Sequence, residues 1–400
     1  MFEKITTFKN LLKAYKNASK AKSERLYVQK YNYNLEYNLL NLKKRLNNET
    51  YKWGKYKSFY VYDPKMRLVK AAPFEDRIVH HAIHNIMEPI FEKTFISDSY
   101  ACRKNKGTHK GLVKAFKYMK ENKYYLQCDI RKYFDSINGT ILFSIIKNSI
   151  SDPKLLKLLK TLIISGIPSN DLEEWKDNQL FLFSESNAES KCGLPLGNLT
   201  SQLFANIYLN EMDHFIKENL LVNHYIRYMD DFVIFGNRKK ELWKIKDQVE
   251  KFLNNKLQLK LHPKKITLSP TRCFLDFLGY KIYQDKILLR HRNLVRYFKR
   301  TKKHKKLIQP HLPELKRIEK LQANSKVKEK LFSDYFKNNP VLQHIMHSRA
   351  SFLGIVNYLY PKELRDYWFR QVFSHPFNIL VNSIKSPDKI SYPFVERKES

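Results

Sequence analysis

The stretch His224-Tyr225-Ile226-Arg227-Tyr228-Met229-Asp230-Asp231-Phe232-Val233-Ile234-Phe235 constrains this chain more than any other. Its flanks are aromatic and β-branched, which suits pleated strands, and the acidic pair falls where the run must turn. The reading is a β-hairpin with Asp230 and Asp231 at its tip. Adjacent carboxylates repel each other, so apolar strands that end in Asp-Asp suit a hard cation held between them. Aspartate is also a common turn residue, and on this stretch alone a solvated turn explains the pair as well.

A second run, Tyr124-Tyr125-Leu126-Gln127-Cys128-Asp129-Ile130-Arg131-Lys132-Tyr133-Phe134, is again apolar and closes its β-prone part on an aspartate. A single carboxylate at a strand end is an ordinary structural residue. Joined to a distant Asp-Asp pair, it completes a cage for two cations about 3.5–4 Å apart, as used for in-line phosphoryl transfer. Together the two stretches resemble motifs A and C of the reverse transcriptase palm, the latter through Tyr228-Met229-Asp230-Asp231.

That resemblance implies an α+β, right-hand polymerase with fingers, an antiparallel-sheet palm and a helical thumb. It implies two Mg²⁺ ions, with Mn²⁺ as a substitute, held by Asp129, Asp230, Asp231 and the backbone carbonyl of Ile130. Phe134 takes the place of the steric gate, the ring under the sugar that leaves no room for a ribose 2′-hydroxyl, and Tyr228 that of a substrate contact.

Charge points the same way. Lys and Arg number 74 against 39 Asp and Glu, a formal net charge of +35, which calls for a polyanionic partner bound in a salt-dependent way. No apolar stretch of about 18 residues and no cleavable leader is evident, so nucleic acid is preferred over a membrane surface and a cytoplasmic location is expected. Cys102, Cys128, Cys192 and Cys273 are too scattered for a zinc or Cys-x-x-Cys site and read as reduced thiols.

Along the chain, residues 1–55 read as a basic helical extension, with Phe8, Leu11, Leu12 and Tyr15 on one apolar face and Leu35, Leu39, Leu40 and Leu42 on another. Residues 56–122 read as fingers. They open with a hairpin over 57–72 that turns at Asp63-Pro64, followed by a helix that starts after Pro73. His80, His81 and His84 on that helix lack an acid or cysteine at ligand spacing, and packing or template contact explains them better than a metal. The cationic loop from Ser97 to Gly111 leads into a helix, so charge and free backbone N–H groups converge as a triphosphate requires, although a charge run can equally be a solvated face. By resemblance to the fingers loop, Arg103 and Lys106 are nominated for the phosphates.

The palm is expected over 123–285, with a helix over roughly 137–165 and a loop-rich insertion around 166–190 carrying Leu180-Phe181-Leu182-Phe183. Lys191-Cys192-Gly193-Leu194-Pro195-Leu196-Gly197-Asn198-Leu199-Thr200-Ser201-Gln202 precedes a helix, and its glycines let backbone approach a base pair closely. It resembles motif B, with Gly197 and Gln202 as substrate contacts. The form Leu196-Gly197-x-x-x-Ser201-Gln202 is similar to that of diversity-generating retroelement and phage-defence reverse transcriptases. Residues 261–268 and 274–280 resemble motifs D and E, the second being the primer grip. Lys265 is the candidate acid for departing pyrophosphate, with a plain surface lysine as the alternative. Basic clusters at 290–306 open a helical thumb over 286–375, and 376–400 reads as a tail with three prolines.

The expected activity is RNA-directed DNA synthesis by two-metal nucleotidyl transfer, on deoxynucleoside triphosphates, a primer and a dedicated structured RNA, in a bacterial retroelement or antiphage system. An accessory protein or a homo-oligomer is a further expected partner. The alternatives are a catalytically quiet RNA-binding protein and a maturase-like splicing cofactor. A retron polymerase fits less well, since the Val-Thr-Gly string shared by such enzymes is missing near the C-terminus.

Overall fold

The computed structural model describes residues 1–62, 66–166, 193–322 and 324–359. The expected Asp63-Pro64 turn, the 166–190 insertion beyond Gly166, Cys192 and the tail lie outside these residues. The chain divides into two compact units, Met1–Cys273 and Phe274–Ser400.

The first unit begins with helices α1 (Phe2–Thr6), α2 (Phe8–Ser19), α3 (Leu26–Tyr33) and α4 (Leu35–Asn47). Leu11, Ala14 and Tyr15 of α2 pack into the core, and in α4 Leu39, Leu42 and Leu46 form the buried stripe at i, i+3, i+7. Leu40 falls outside that stripe and is exposed, because one residue rotates the side chain by about 100° around the helix.

Strands β1 (Lys57–Val61) and β2 (Arg67–Ala71) pair antiparallel from Lys57↔Ala71 to Val61↔Arg67, as the alternation predicts. Helix α5 (Phe74–Phe91) follows Pro73, which serves as its N-cap residue, and packs on α2. Helix α6 (Thr108–Glu121) follows the cationic loop.

The central sheet has the order β4-β5-β3-β6, with β3 Tyr124–Asp129, β4 Tyr225–Tyr228, β5 Asp231–Gly236 and β6 Thr267–Pro270. All its pairings are antiparallel. Phe232, Val233, Ile234 and Phe235 are all buried, on both faces of the sheet. Short α7 (Tyr133–Ser136) follows β3.

The single helix expected over 137–165 is instead two, α8 (Gly139–Ser149) and α9 (Pro153–Ser165). The break is chemical: Asp152 accepts the N–H of Leu155 as an N-cap and Pro153 occupies the first turn, where its missing N–H costs nothing. Helix α10 (Leu199–His214) buries Leu203, Phe204, Ile207 and Tyr208, and α11 (Lys239–Leu257) packs on β5 through Leu242, Val249 and Leu253.

In the second unit, β7 (Leu275–Phe277), β8 (Tyr280–Ile282) and β9 (Ile287–Leu289) form an antiparallel sheet. Leu278 and Gly279 both have positive φ (55° and 88°), as a two-residue hairpin turn matched to strand twist demands. Helices α12 (His291–Ile308), α13 (Leu312–Lys320), α14 (Ser325–Lys337) and α15 (Pro340–Leu359) follow, and the stacked rings of Tyr297 and Phe352, 3.7 Å apart, join α12 to α15. The fold is thus α+β with an antiparallel palm sheet, as the sequence predicts. Among the described residues no helix is long and apolar enough to cross a membrane.

Candidate active site

Strand pairing brings the three aspartates together. Asp129 ends β3 directly opposite Asp231, the first residue of β5, and the next residue along, Ile130, donates its N–H to the Asp230 carbonyl at 3.1 Å. The β4–β5 hairpin closes on Tyr228↔Asp231, so Met229 and Asp230 form its tip, with Met229 held at φ 56°. A left-handed methionine costs about 1 kcal/mol or more and persists only where its surroundings fix it.

The carboxylates feel one another. Burial raises the pKa of Asp231 to about 7, helped by the charges of Asp129 and Asp230, while a hydrogen bond from Gln127 Nε2 at 3.1 Å pulls it back. Burial and the Asp129 charge also raise Asp230, opposed by Lys265 and Arg67. Such mutual destabilisation in an all-oxygen donor set fits a hard divalent cation. Among the described residues no group of three or more His, Cys, Asp and Glu side chains is already arranged as a metal cage. Asp129 is instead paired with Lys265, whose Nζ lies 2.6 Å from its Oδ2.

The remaining candidates fall around this edge. Phe134 is half-buried beside Tyr133, its ring edge-on at 5.6 Å, and its carbonyl accepts the N–H of Leu194. Gly197 has φ +123° and packs so close to β2 that a Cβ would lie 2.8 Å from the Lys70 carbonyl, while Leu196 accepts the Lys70 N–H. Both facts demand glycine. Gln202 is exposed in the first turn of α10, and Tyr228 is half-buried with its hydroxyl 3.2 Å from Thr108 Oγ1. Ile130 is buried.

Arg103 and Lys106 are engaged within their own loop. Arg103, with its side chain 5% exposed, pairs with Glu92 and donates to the carbonyls of Ile96 and Ser99. Lys106 donates to the Ser97 carbonyl at 2.6 Å and lies over the Tyr100 ring. A guanidinium that satisfies buried carbonyls cannot turn to a ligand without orphaning them. Besides Lys265, an exposed cation that acts on Asp230 is Arg67 of β2.

Arg67 and Gln127 stand outside the site residues expected from the sequence. Gln127 was within reach of the strand period, since residues two apart share a face and Asp129 was already assigned. Arg67 sat in a hairpin whose position over the site only the fold reveals.

The reverse transcriptase (RNA-dependent DNA polymerase) family profile matches residues 57–282. The chain belongs to the reverse transcriptase family. It is similar to the group II intron-encoded protein LtrA of Lactococcus lactis subsp. cremoris, 25% identical over 281 residues that cover 54% of this chain and 44% of LtrA. Protein YkfC of Escherichia coli K12 is 26% identical over 267 residues, covering 56% and 66% of the two chains. Nuclear intron maturase 2, mitochondrial, of Arabidopsis thaliana is 26% identical over 153 residues, covering 34% and 21%. The chain thus matches about half the length of LtrA and about two thirds of YkfC. A solved structure of apo telomerase from Candida tropicalis aligns at TM-score 0.42 and 12% identity, over 60% of this chain and 49% of that one. The matches to LtrA and YkfC support a bacterial, group II-like lineage.

Proposed function

We propose that this chain is an RNA-directed DNA polymerase that extends a primer by nucleotidyl transfer at Asp129, Asp230 and Asp231. The observation that carries the reading is the register Asp129↔Asp231, which brings carboxylates from distant parts of a reverse transcriptase-family chain to one sheet edge. Asp129, Asp230, Asp231 and the Ile130 carbonyl would hold two Mg²⁺ ions, which activate the primer 3′-hydroxyl and steady the phosphates.

The other roles fall to the protein itself. Arg67 is the cation for the incoming phosphates, while Arg103 and Lys106 brace their own loop. Phe134 excludes the ribose 2′-hydroxyl, Gly197 and Gln202 line the nascent pair, and Tyr228 supports the primer end. Lys265, which pairs with Asp129, would be the acid that protonates departing pyrophosphate. The thumb, with basic α12, grips the template–primer backbone.

The template is a dedicated structured RNA, in a retroelement or antiphage setting, with deoxynucleoside triphosphates as substrates. A second reading, an RNA-binding splicing cofactor, is favoured by the relative that is named an intron maturase. The test is to purify the protein from a native-like host with its flanking DNA and to sequence the co-purifying RNA and DNA, beside an Asp230→Ala, Asp231→Ala control. One RNA with complementary DNA, lost in the control, supports the polymerase. Bound RNA with no DNA from either protein supports the splicing reading.

A further inference from the structure

Arg227 lies in β4 just ahead of the Tyr228-Met229-Asp230-Asp231 run and is fully buried. Its Nε and Nη2 donate to Asp213 of α10 at 2.8 and 2.6 Å, and Asp213 also accepts from the Tyr225 hydroxyl. Two donors of this kind already satisfy the charge. The third nitrogen does something else. Nη1 donates to the Met229 carbonyl and to Asn206 Oδ1, each at 3.2 Å, and Asn206 Nδ2 donates to the Ala101 carbonyl at 2.8 Å. The Arg227 backbone completes the tie: its N–H donates to the Asp98 carbonyl and its own carbonyl accepts from Tyr100 N–H, both at 3.0 Å.

One residue therefore joins three pieces: its side chain ties the hairpin tip to helix α10, and its backbone ties both to the loop that carries Arg103. The Met229 carbonyl belongs to the residue in the left-handed conformation, one residue before Asp230. Without a donor there, the strained peptide would be free to relax and carry the Asp230 carboxylate with it. A buried ion pair by itself adds little net stability over apolar residues of like volume, so the pairing with Asp213 alone leaves the Nη1 contact unexplained.

We propose that Arg227 is a positioning residue that fixes the Met229 peptide, so that Asp230 faces Asp129 in the geometry that binds metal. This rests on the polymerase reading for its chemistry, but its first consequence is metal affinity.

The test separates that role from a plain structural one by neutralising the pair together. In the double variant Arg227→Met, Asp213→Asn no charge is left orphaned. The amide that replaces the Asp213 carboxylate still accepts from Tyr225, but the Met229 carbonyl loses its donor. Mn²⁺ binding, followed by electron paramagnetic resonance, is measured with primer extension and thermal unfolding. The expected result is cooperative unfolding near the wild-type temperature, with Mn²⁺ affinity about tenfold weaker. The kcat falls while KM for the nucleotide changes little, and Arg227→Met alone behaves worse in stability. Wild-type Mn²⁺ affinity and kcat in the double variant would overturn the proposal. So would a double variant that does not fold, since Arg227 would then serve the fold as a whole, and so would a wild type that binds no Mn²⁺. A wild type that binds Mn²⁺ but makes no DNA overturns only the polymerase reading.

Discussion

Lys265 Nζ stands 2.6 Å from Asp129 Oδ2, so the ammonium of one residue neutralises the carboxylate that the other would offer to a metal. The lysine is partly exposed (44%), which keeps the pair weak and exchangeable. Lys265→Met should therefore tighten Mn²⁺ binding by about two- to fivefold, on the order of 0.5–1 kcal/mol, while primer extension slows. Binding titrations and single-turnover kinetics on the same preparation check this, and weaker metal binding in the variant would count against the competition.

Asp231→Asn should abolish DNA synthesis yet raise the melting temperature of the metal-free protein at pH 8. The folded pKa of Asp231, about 7, lies above its unfolded value, so the proton is held more tightly in the folded state. The carboxyl's contribution is therefore present at low pH and lost as pH rises through about 7. Removing the charge removes that penalty, about 1 kcal/mol or more after allowance for screening. Differential scanning calorimetry at pH 8 and pH 5 should show the gain shrinking at the lower pH.

His80 works in the opposite sense. It is 1% exposed, its Nδ1 lies 2.7 Å from Thr200 Oγ1, and burial lowers its pKa to about 3. The unfolded chain gains the proton near pH 6.5 and the folded one does not, so stability is complete above 6.5 and falls as pH drops towards 3. At pH 5 the loss from His80 is about 2 kcal/mol. Denaturant titrations of wild type and His80→Gln should show a shallower acid slope in the variant.

Gly197→Ala should destabilise the protein by about 2–3 kcal/mol, since alanine would adopt φ +123° and press on the Lys70 carbonyl. A variant within about 0.5 kcal/mol of wild type by chemical denaturation would show that the β2 contact yields easily.

Phe134→Ala should leave folding intact and raise ribonucleotide incorporation relative to deoxyribonucleotide by about 10- to 200-fold, the range open to one apolar contact. Competing-nucleotide primer extension reads the ratio directly. No change in the ratio would assign Phe134 to the core beside Tyr133.

What the sequence determined by itself is local or periodic. Asp129, Asp230 and Asp231 were legible because strand propensity and acid placement are written in adjacent residues, and the α+β class followed from the family resemblance those residues carry. The break at Asp152-Pro153 was equally local, but its cap and proline signals were overridden by a long apolar run.

The tertiary structure decided what depends on register and on competition between partners. The pairing Asp129↔Asp231 links residues far apart in the chain, and only sheet register fixes it. Arg103 turns inward because Glu92 and two carbonyls need a donor, a demand invisible in a run of cations. The charge of Arg67 is felt at Asp230 because β2 is bound through Lys70 to the backbone at Leu196, and Arg227 is buried because Asp213 lies across from it on α10. Composition foretells that so basic a chain seeks a polyanion. Which of its cations are left to meet one is settled by the buried acceptors that claim the others first.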